Sequence, residues 1–192
     1  MKELVLLFIF STFIFAANSQ ITKGNWLAGG IGKFYAYKSQ YISASYSNEA
    51  SYTQIYISPN IGYFVADKIA FGLRPTFSSL KGEVTGPGGL RTNTRRYAIG
   101  PFGRFYFLNT DKQVNLLTDL CFQYGITTLD GKKIGNFNEF SILGGPVVYF
   151  NTIVGLELLL GYSASLNEVE QAYQITQKGF QIIIGFQIHL EK

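Results

Sequence analysis

Through most of the chain after residue 20, apolar side chains recur at every second position, and the charged ones keep to the opposite parity. In "FQIIIGFQIHL", Phe180, Ile182, Ile184, Phe186, Ile188 and Leu190 alternate with Gln181, Ile183, Gly185, Gln187 and His189. "VGLELLLGYS" and "RYAIGPFGRFYF" repeat the pattern, with Glu157 and Arg104 on the less apolar parity. Successive side chains of a strand point to opposite faces, so a period of two predicts strands with one apolar and one mixed face. After the N-terminal leader no segment carries the 3.6-residue period of a helix.

The pattern predicts eight strands, near 25–37, 50–64, 69–80, 95–107, 113–126, 137–150, 153–165 and 177–190. Three stretches resemble one another: "SPNIGYFVADK", "GPFGRFYFLNTDK" and "GGPVVYFNT", whose phenylalanines Phe64, Phe107 and Phe150 stand 43 residues apart. That spacing is one hairpin plus its connection. The connections are expected to alternate, with short ones at "VADK", "LNTDK" and "NT" and longer ones at 38–49, 81–94, 127–136 and 166–176. In an up-and-down meander all short turns then share one end with both termini. Such an asymmetry belongs to barrels that span an outer membrane. Pro59, Pro75, Pro101 and Pro146 fall within strands, where each removes a ladder hydrogen bond; bulges or sharp bends are expected there.

"MKELVLLFIFSTFIFAANSQ" has the layout of a secretory signal peptide, with a lysine, an apolar run too short to span a membrane as a helix, and small residues before Gln20. This divides the chain into residues 1–19 as a leader and 20–192 as one barrel domain. The single cysteine, Cys121, leaves an exported chain without an internal disulfide and reads as a small buried space-filler. A net charge of +4 without any basic run gives no nucleic-acid footprint.

The same alternation fits a soluble barrel with an apolar lumen and a membrane barrel with an apolar exterior. Lys33, Arg74, Arg104, Asp119, Glu139 and Glu157 all take the less apolar parity. An Arg or Lys facing mid-bilayer lipid would cost ~2–4 kcal/mol, so in a membrane barrel these six point inward as a lumen charge network. Charged residues make up 15% of the chain, too few for a soluble surface of this size. Aromatics cluster at strand ends: Tyr63, Phe64, Tyr106, Phe107, Tyr149 and Phe150 form an expected periplasmic girdle, with Tyr35, Tyr37, Tyr52, Tyr97 and Tyr162 opposite. The expected fold is an all-β, eight-stranded antiparallel up-and-down transmembrane barrel.

The alternating strands, the "GPFGRFYF"-type descending strands and the closing "GFQIHL" resemble the small outer-membrane barrels of the OmpA-transmembrane and OmpX type, and the porin-family β-barrel proteins of Bacteroidetes. The likeness spans nearly all of 20–192. It implies residence in the bacterial outer membrane, contact with its lipids and lipopolysaccharide, and recognition of the last strand by the outer-membrane insertion machinery. The chain departs from the family pattern at its end, where Phe186 is followed by "IHLEK" instead of a final aromatic.

Eight strands leave an interior that side chains fill. The expected role is therefore non-enzymatic: an envelope barrel that displays loops, with a narrow porin-like channel or a surface adhesin as alternatives. A lipopolysaccharide-modifying hydrolase would need a nucleophile, a base and an orienting acid together. The only histidine, His189, is expected at the membrane interface, and no catalytic, metal or cofactor motif stands out. Arg95 and Lys178 take the lipid-facing parity near the outer rim, where they could meet lipopolysaccharide phosphates.

Overall fold

The computed structural model describes residues 21–42, 47–85, 89–110, 112–169 and 173–190; the leader 1–19 lies outside them. Eight strands follow one another: β1 (Trp26–Ile42), β2 (Ser47–Ala66), β3 (Ile69–Thr85), β4 (Arg91–Tyr106), β5 (Val114–Leu129), β6 (Lys132–Tyr149), β7 (Val154–Val169) and β8 (Tyr173–Leu190). Each pairs antiparallel with the next, and β8 returns to β1 to close a barrel. The end carrying Trp26 and Leu190, which pair across the seam, is here the lower end.

The register fixes the tilt. Starting at Leu27, consecutive partners run Gly62, Gly72, Phe102, Cys121, Ser141, Ser163 and Gly179. Leu27's own partner on β8 is His189, ten residues further along. A circuit that returns ten residues out of step forces the strands to lean by about 40° from the barrel axis.

The parities then sort the side chains. Phe180, Ile182 and Ile184 on β8 are 87, 75 and 64% exposed, while Arg104, Asp119 and Glu157 are 3, 0 and 1% exposed. Ile57, Ile61, Leu73, Ile99, Leu120, Phe122, Leu158 and Leu160 extend the exterior apolar surface around the wall. An apolar outside with a polar inside is the arrangement of a barrel whose solvent is lipid. Among the described residues no helix is long and apolar enough to cross a membrane. Outward aromatics pair at two levels: Trp26 on Tyr63 (ring centroids 5.3 Å apart) and Phe105 on Phe107 (4.9 Å) below, Phe77 on Tyr97 (5.3 Å) and Tyr162 on Phe180 (5.6 Å) above. From Leu190 to Phe180 a strand leaning by about 40° climbs about 25 Å, the height of a membrane barrel's apolar band.

Two expectations are corrected. The strands run beyond their expected upper ends, so the four "long loops" are mostly paired hairpin: the β5–β6 connection shrinks to Asp130–Gly131, whereas the lower β4–β5 connection spans 107–113. Loop length therefore does not alternate. The upper asymmetry resides in polar strand extensions instead, held by pairs such as Lys38–Glu49 at 2.7 Å and Arg91–Glu83 at 2.6 Å. Nor do the prolines carry bulges. Among the described residues, register shifts occur at Phe64/Ala66 and Thr127/Thr128 only. Pro59 stands opposite Pro75, where β2–β3 pairing lapses between Ile57↔Phe77 and Ile61↔Leu73 and resumes in the same register. Pro101 and Pro146 interrupt β4–β5 and β6–β7 in the same way. Each proline still pairs with its other neighbour, so the missing N–H is directed at the lapse and the strand need not gain a residue.

Candidate functional site: the charged floor of the barrel

Arg104 and Asp119 are direct cross-strand partners of β4 and β5, both on the inward parity. Arg104 Nε donates to Asp119 Oδ2 at 2.6 Å, and its two terminal nitrogens reach Glu157 on β7 at 2.8 and 3.1 Å. Arg74, on β3, grips the other side of Asp119 with two parallel hydrogen bonds of 2.9 and 2.7 Å. Two guanidinium and two carboxylate groups thus form a continuous, neutral chain through the lumen. The bidentate geometry suits the planar guanidinium fork, which lysine could not reproduce.

Small residues make room for this chain. A Cβ on Gly185 would lie 2.8 Å from the Glu157 carboxylate, and Cβ atoms on Gly62 and Gly72 would press on the Phe102 ring at 2.9 and 2.7 Å. That ring lies beneath both cations, 4.8 Å from the Arg74 guanidinium carbon and 5.7 Å from that of Arg104. Cation–π attraction adds to the ion pairs where water is excluded.

Polar neighbours satisfy the remaining groups. Arg104 also donates to Gln187 Oε1 at 3.3 Å, which accepts from the Tyr106 hydroxyl at 2.7 Å, while Gln187 Nε2 donates to Tyr149 at 3.2 Å. On the other side Gln123 Nε2 donates to the Arg74 carbonyl at 2.7 Å and to Thr76 at 2.9 Å, and Thr76 bonds Ser58 at 2.7 Å. The network touches every strand from β2 to β8. Below it, His189 stacks at 5.5 Å on Phe64 and meets Tyr149 edge-on at 5.5 Å. Ile21, fully buried, closes the bottom, its carbonyl accepting from Lys68 N–H at 2.9 Å.

Of the six expected network members, four are brought together. Lys33 and Glu139 face the same lumen above them but form no ion pair among the described residues. Lys33 Nζ lies 5.2 Å over the Tyr56 ring, and Glu139 acts electrostatically on Tyr56 and Arg96. The girdle is corrected more sharply. Phe107 and Phe150 are exposed on the outer surface and Tyr63 stands there beside Trp26, but Phe64, Tyr106 and Tyr149 are fully buried in the lumen. Consecutive strand residues face opposite ways, so a Tyr-Phe pair cannot place both rings in lipid. His189 is likewise a lumen residue, 0% exposed, and not interfacial. Cys121 is buried in the lumen wall, and Arg95 and Lys178 are exposed on outward positions of β4 and β8, far around the barrel from one another.

Residue patterning missed Arg96, which lies on the inward parity of β4. Its guanidinium carbon is 3.8 Å from the Phe137 ring centroid, and it donates to Asn167 at 3.1 Å. The parity of Ala98, Gly100 and Phe102 would have found it; Phe102 and Gln187 carried no signal beyond that parity. Above the floor is a cavity of about 40 Å³, bordered by Tyr56, Asn60, Gln123, Glu139, Ser141 and Gln181. That is room for about three water molecules. Among the described residues no group of three or more His, Cys, Asp or Glu could hold a metal ion.

The chain is similar in structure to Neisserial surface protein A (NspA), at 16% identity and a TM-score of 0.51, with 86% of this chain and 97% of that one covered. It is also similar to the outer membrane protein OprG from Pseudomonas aeruginosa, at 13% identity and a TM-score of 0.49, with 91% and 99% covered. No protein-family model and no curated protein matches the sequence. At 16% identity the likeness to NspA agrees with the fold alone, a small transmembrane β-barrel.

Proposed function

We propose that this protein is a non-enzymatic integral barrel of the bacterial outer membrane, which stabilises the envelope and displays its upper hairpins, with a lumen closed by its charge network. One observation carries the reading: the ion-paired floor and the aromatic layer below it fill the lower lumen from wall to wall, with Asp119, Glu157, Gln187, Tyr106, Tyr149 and His189 at 0 or 1% exposure. A through-channel needs a continuous wet path, and a hydrolase needs an accessible base; a sealed floor provides neither. The inverted surface supports membrane residence. The likeness in fold to NspA, named as a surface protein, agrees with the location.

The expected result in a planar bilayer is no discrete conductance step from the mature protein. Reproducible unitary currents would replace the envelope role with the channel. Biogenesis through the insertion machinery belongs to the same proposal, as does contact of Arg95 and Lys178 with lipopolysaccharide phosphates. Both cations are exposed on outward positions near the upper rim. Replacing both with Ala is expected to lower the melting temperature in lipopolysaccharide-containing micelles and leave it unchanged in plain detergent.

A further inference from the structure

The seam that closes the barrel is short. β1 and β8 pair only over Trp26–Gly30 with Phe186–Leu190, five residue pairs, whereas β1 and β2 pair along the whole of β1. Continuing the same register would set Ile31 against Gly185 and Ala36 against Phe180, but those residues stay unpaired. Their height places them within the apolar band, whose upper edge is marked by the Tyr162–Phe180 pair. Open sheet edges facing lipid leave backbone N–H and C=O groups without partners; at membrane depth they persist only where they line a wet or occupied cavity. The lumen cavity above the charged floor is such a space, for Gly30, Ile31, Gln181 and Ile183 border it at this seam.

The parting point is built into the chain. Gly30 has φ +143°, a conformation that side chains other than glycine's rarely adopt, and a Cβ there would strike the backbone of Ser58 and Pro59. Above it the outward face of β1 carries Gly32 and Ala36 around Phe34, while β8 opposes them with Phe180, Ile182 and Ile184, among the most exposed apolar side chains of the molecule. The result is an apolar trough along the seam, with Phe34, 67% exposed, on one side and Phe180, Ile182 and Ile184 on the other, and the cavity on the lumen side of the same two strands. Within the cavity Asn60 is 3% exposed, and its Oδ1 has no hydrogen-bond partner. A buried amide oxygen left without a donor is costly, and an arriving donor would satisfy it.

We propose that the open upper seam between β1 and β8 is a lateral binding site for a single-chain amphiphile, its chain lying in the trough and its small hydrogen-bond-donating head meeting Asn60 in the lumen. A cavity of about 40 Å³ admits a head of only a few atoms, the size of a single-chain amphiphile's hydroxyl or amine and far below that of a two-chain lipid. The site goes beyond the envelope role and does not depend on it: a sealed floor prevents passage downward but leaves side access from the outer leaflet open.

The test uses the mature protein in lipid nanodiscs with a photoreactive dodecanol carrying a mid-chain diazirine, and the matching dodecane without the hydroxyl. The alcohol should label Ile31–Ala36 and Phe180–Ile184 at least fivefold above the rest of the lipid-facing wall. Asn60→Leu should remove that excess, and the hydrocarbon should never show it. Labelling spread evenly around the barrel overturns the site. Seam labelling that survives Asn60→Leu, or that the hydrocarbon matches, overturns the assigned head contact. Amide hydrogen exchange on the unmodified protein stands apart from any variant's folding. Amides of Gly32–Ala36 and Phe180–Ile184 directed at the seam should exchange tenfold or more faster than amides at the same depth between β3 and β4. Equal protection would mean the seam is zipped and the site does not exist.

Discussion

At the scale of single residues the charged floor sets the largest energies. Arg104 bonds both carboxylates, so Arg104→Ala would leave Asp119 and Glu157 facing one another with only Arg74 in reach. Breaking a buried pair by deleting one partner typically costs about 3–5 kcal/mol, mostly the penalty of an uncompensated buried charge. Urea unfolding in detergent micelles should show a loss of that size for Arg104→Ala. Replacing all four charged residues together by Met and Leu should cost much less, because no charge is then stranded. A loss for the fourfold variant as large as for Arg104→Ala would mean that the network's hydrogen bonds, not charge balance, hold the floor. Phe102 belongs with this group: two guanidinium groups lie over its ring, and the glycines at 62 and 72 exist in effect to admit it.

At the scale of elements the turn chemistry is the most exposed to test. Asp130 and Gly131 join β5 to β6 with φ of +49° and +86°, both left-handed, the two-residue hairpin that Asp-Gly favours. Gly131→Val should lower stability by about 1–2 kcal/mol, the cost of a left-handed backbone for a residue with a Cβ, measured as a shift in the unfolding midpoint. Eight strands and their faces were legible because a period of two is a local signal that lipid outside reinforces at every position. The upper strand ends were not, since 81–85 and 127–129 lose the apolar alternation once they leave the membrane, and Lys81, Gly82, Glu83, Thr127 and Thr128 there read as loop. The floor was half legible. Parity placed Arg74, Arg104, Asp119 and Glu157 inside, but a tilt of ten residues per circuit decides who meets whom, and no single strand carries that information. The girdle failed for a simpler reason: clustering at strand ends was weighed above the alternation that turns Phe64, Tyr106 and Tyr149 inward.

At the scale of the whole molecule, an apolar belt wrapped around an ion-paired polar floor is expected to stay folded in sodium dodecyl sulfate at room temperature. The mature protein should migrate faster before boiling than after it. A single unshifted band would mean that no closed cylinder survives the detergent. The chain's one tryptophan, Trp26, sits where the first strand meets the last, opposite Leu190 and edge-on to Tyr63 at the lipid boundary. Its indole meets Tyr63 when the first hairpin forms and Leu190 only when the ends of the ribbon come together, so the second of two changes in native emission is a built-in clock for ring closure during insertion, needing no added label.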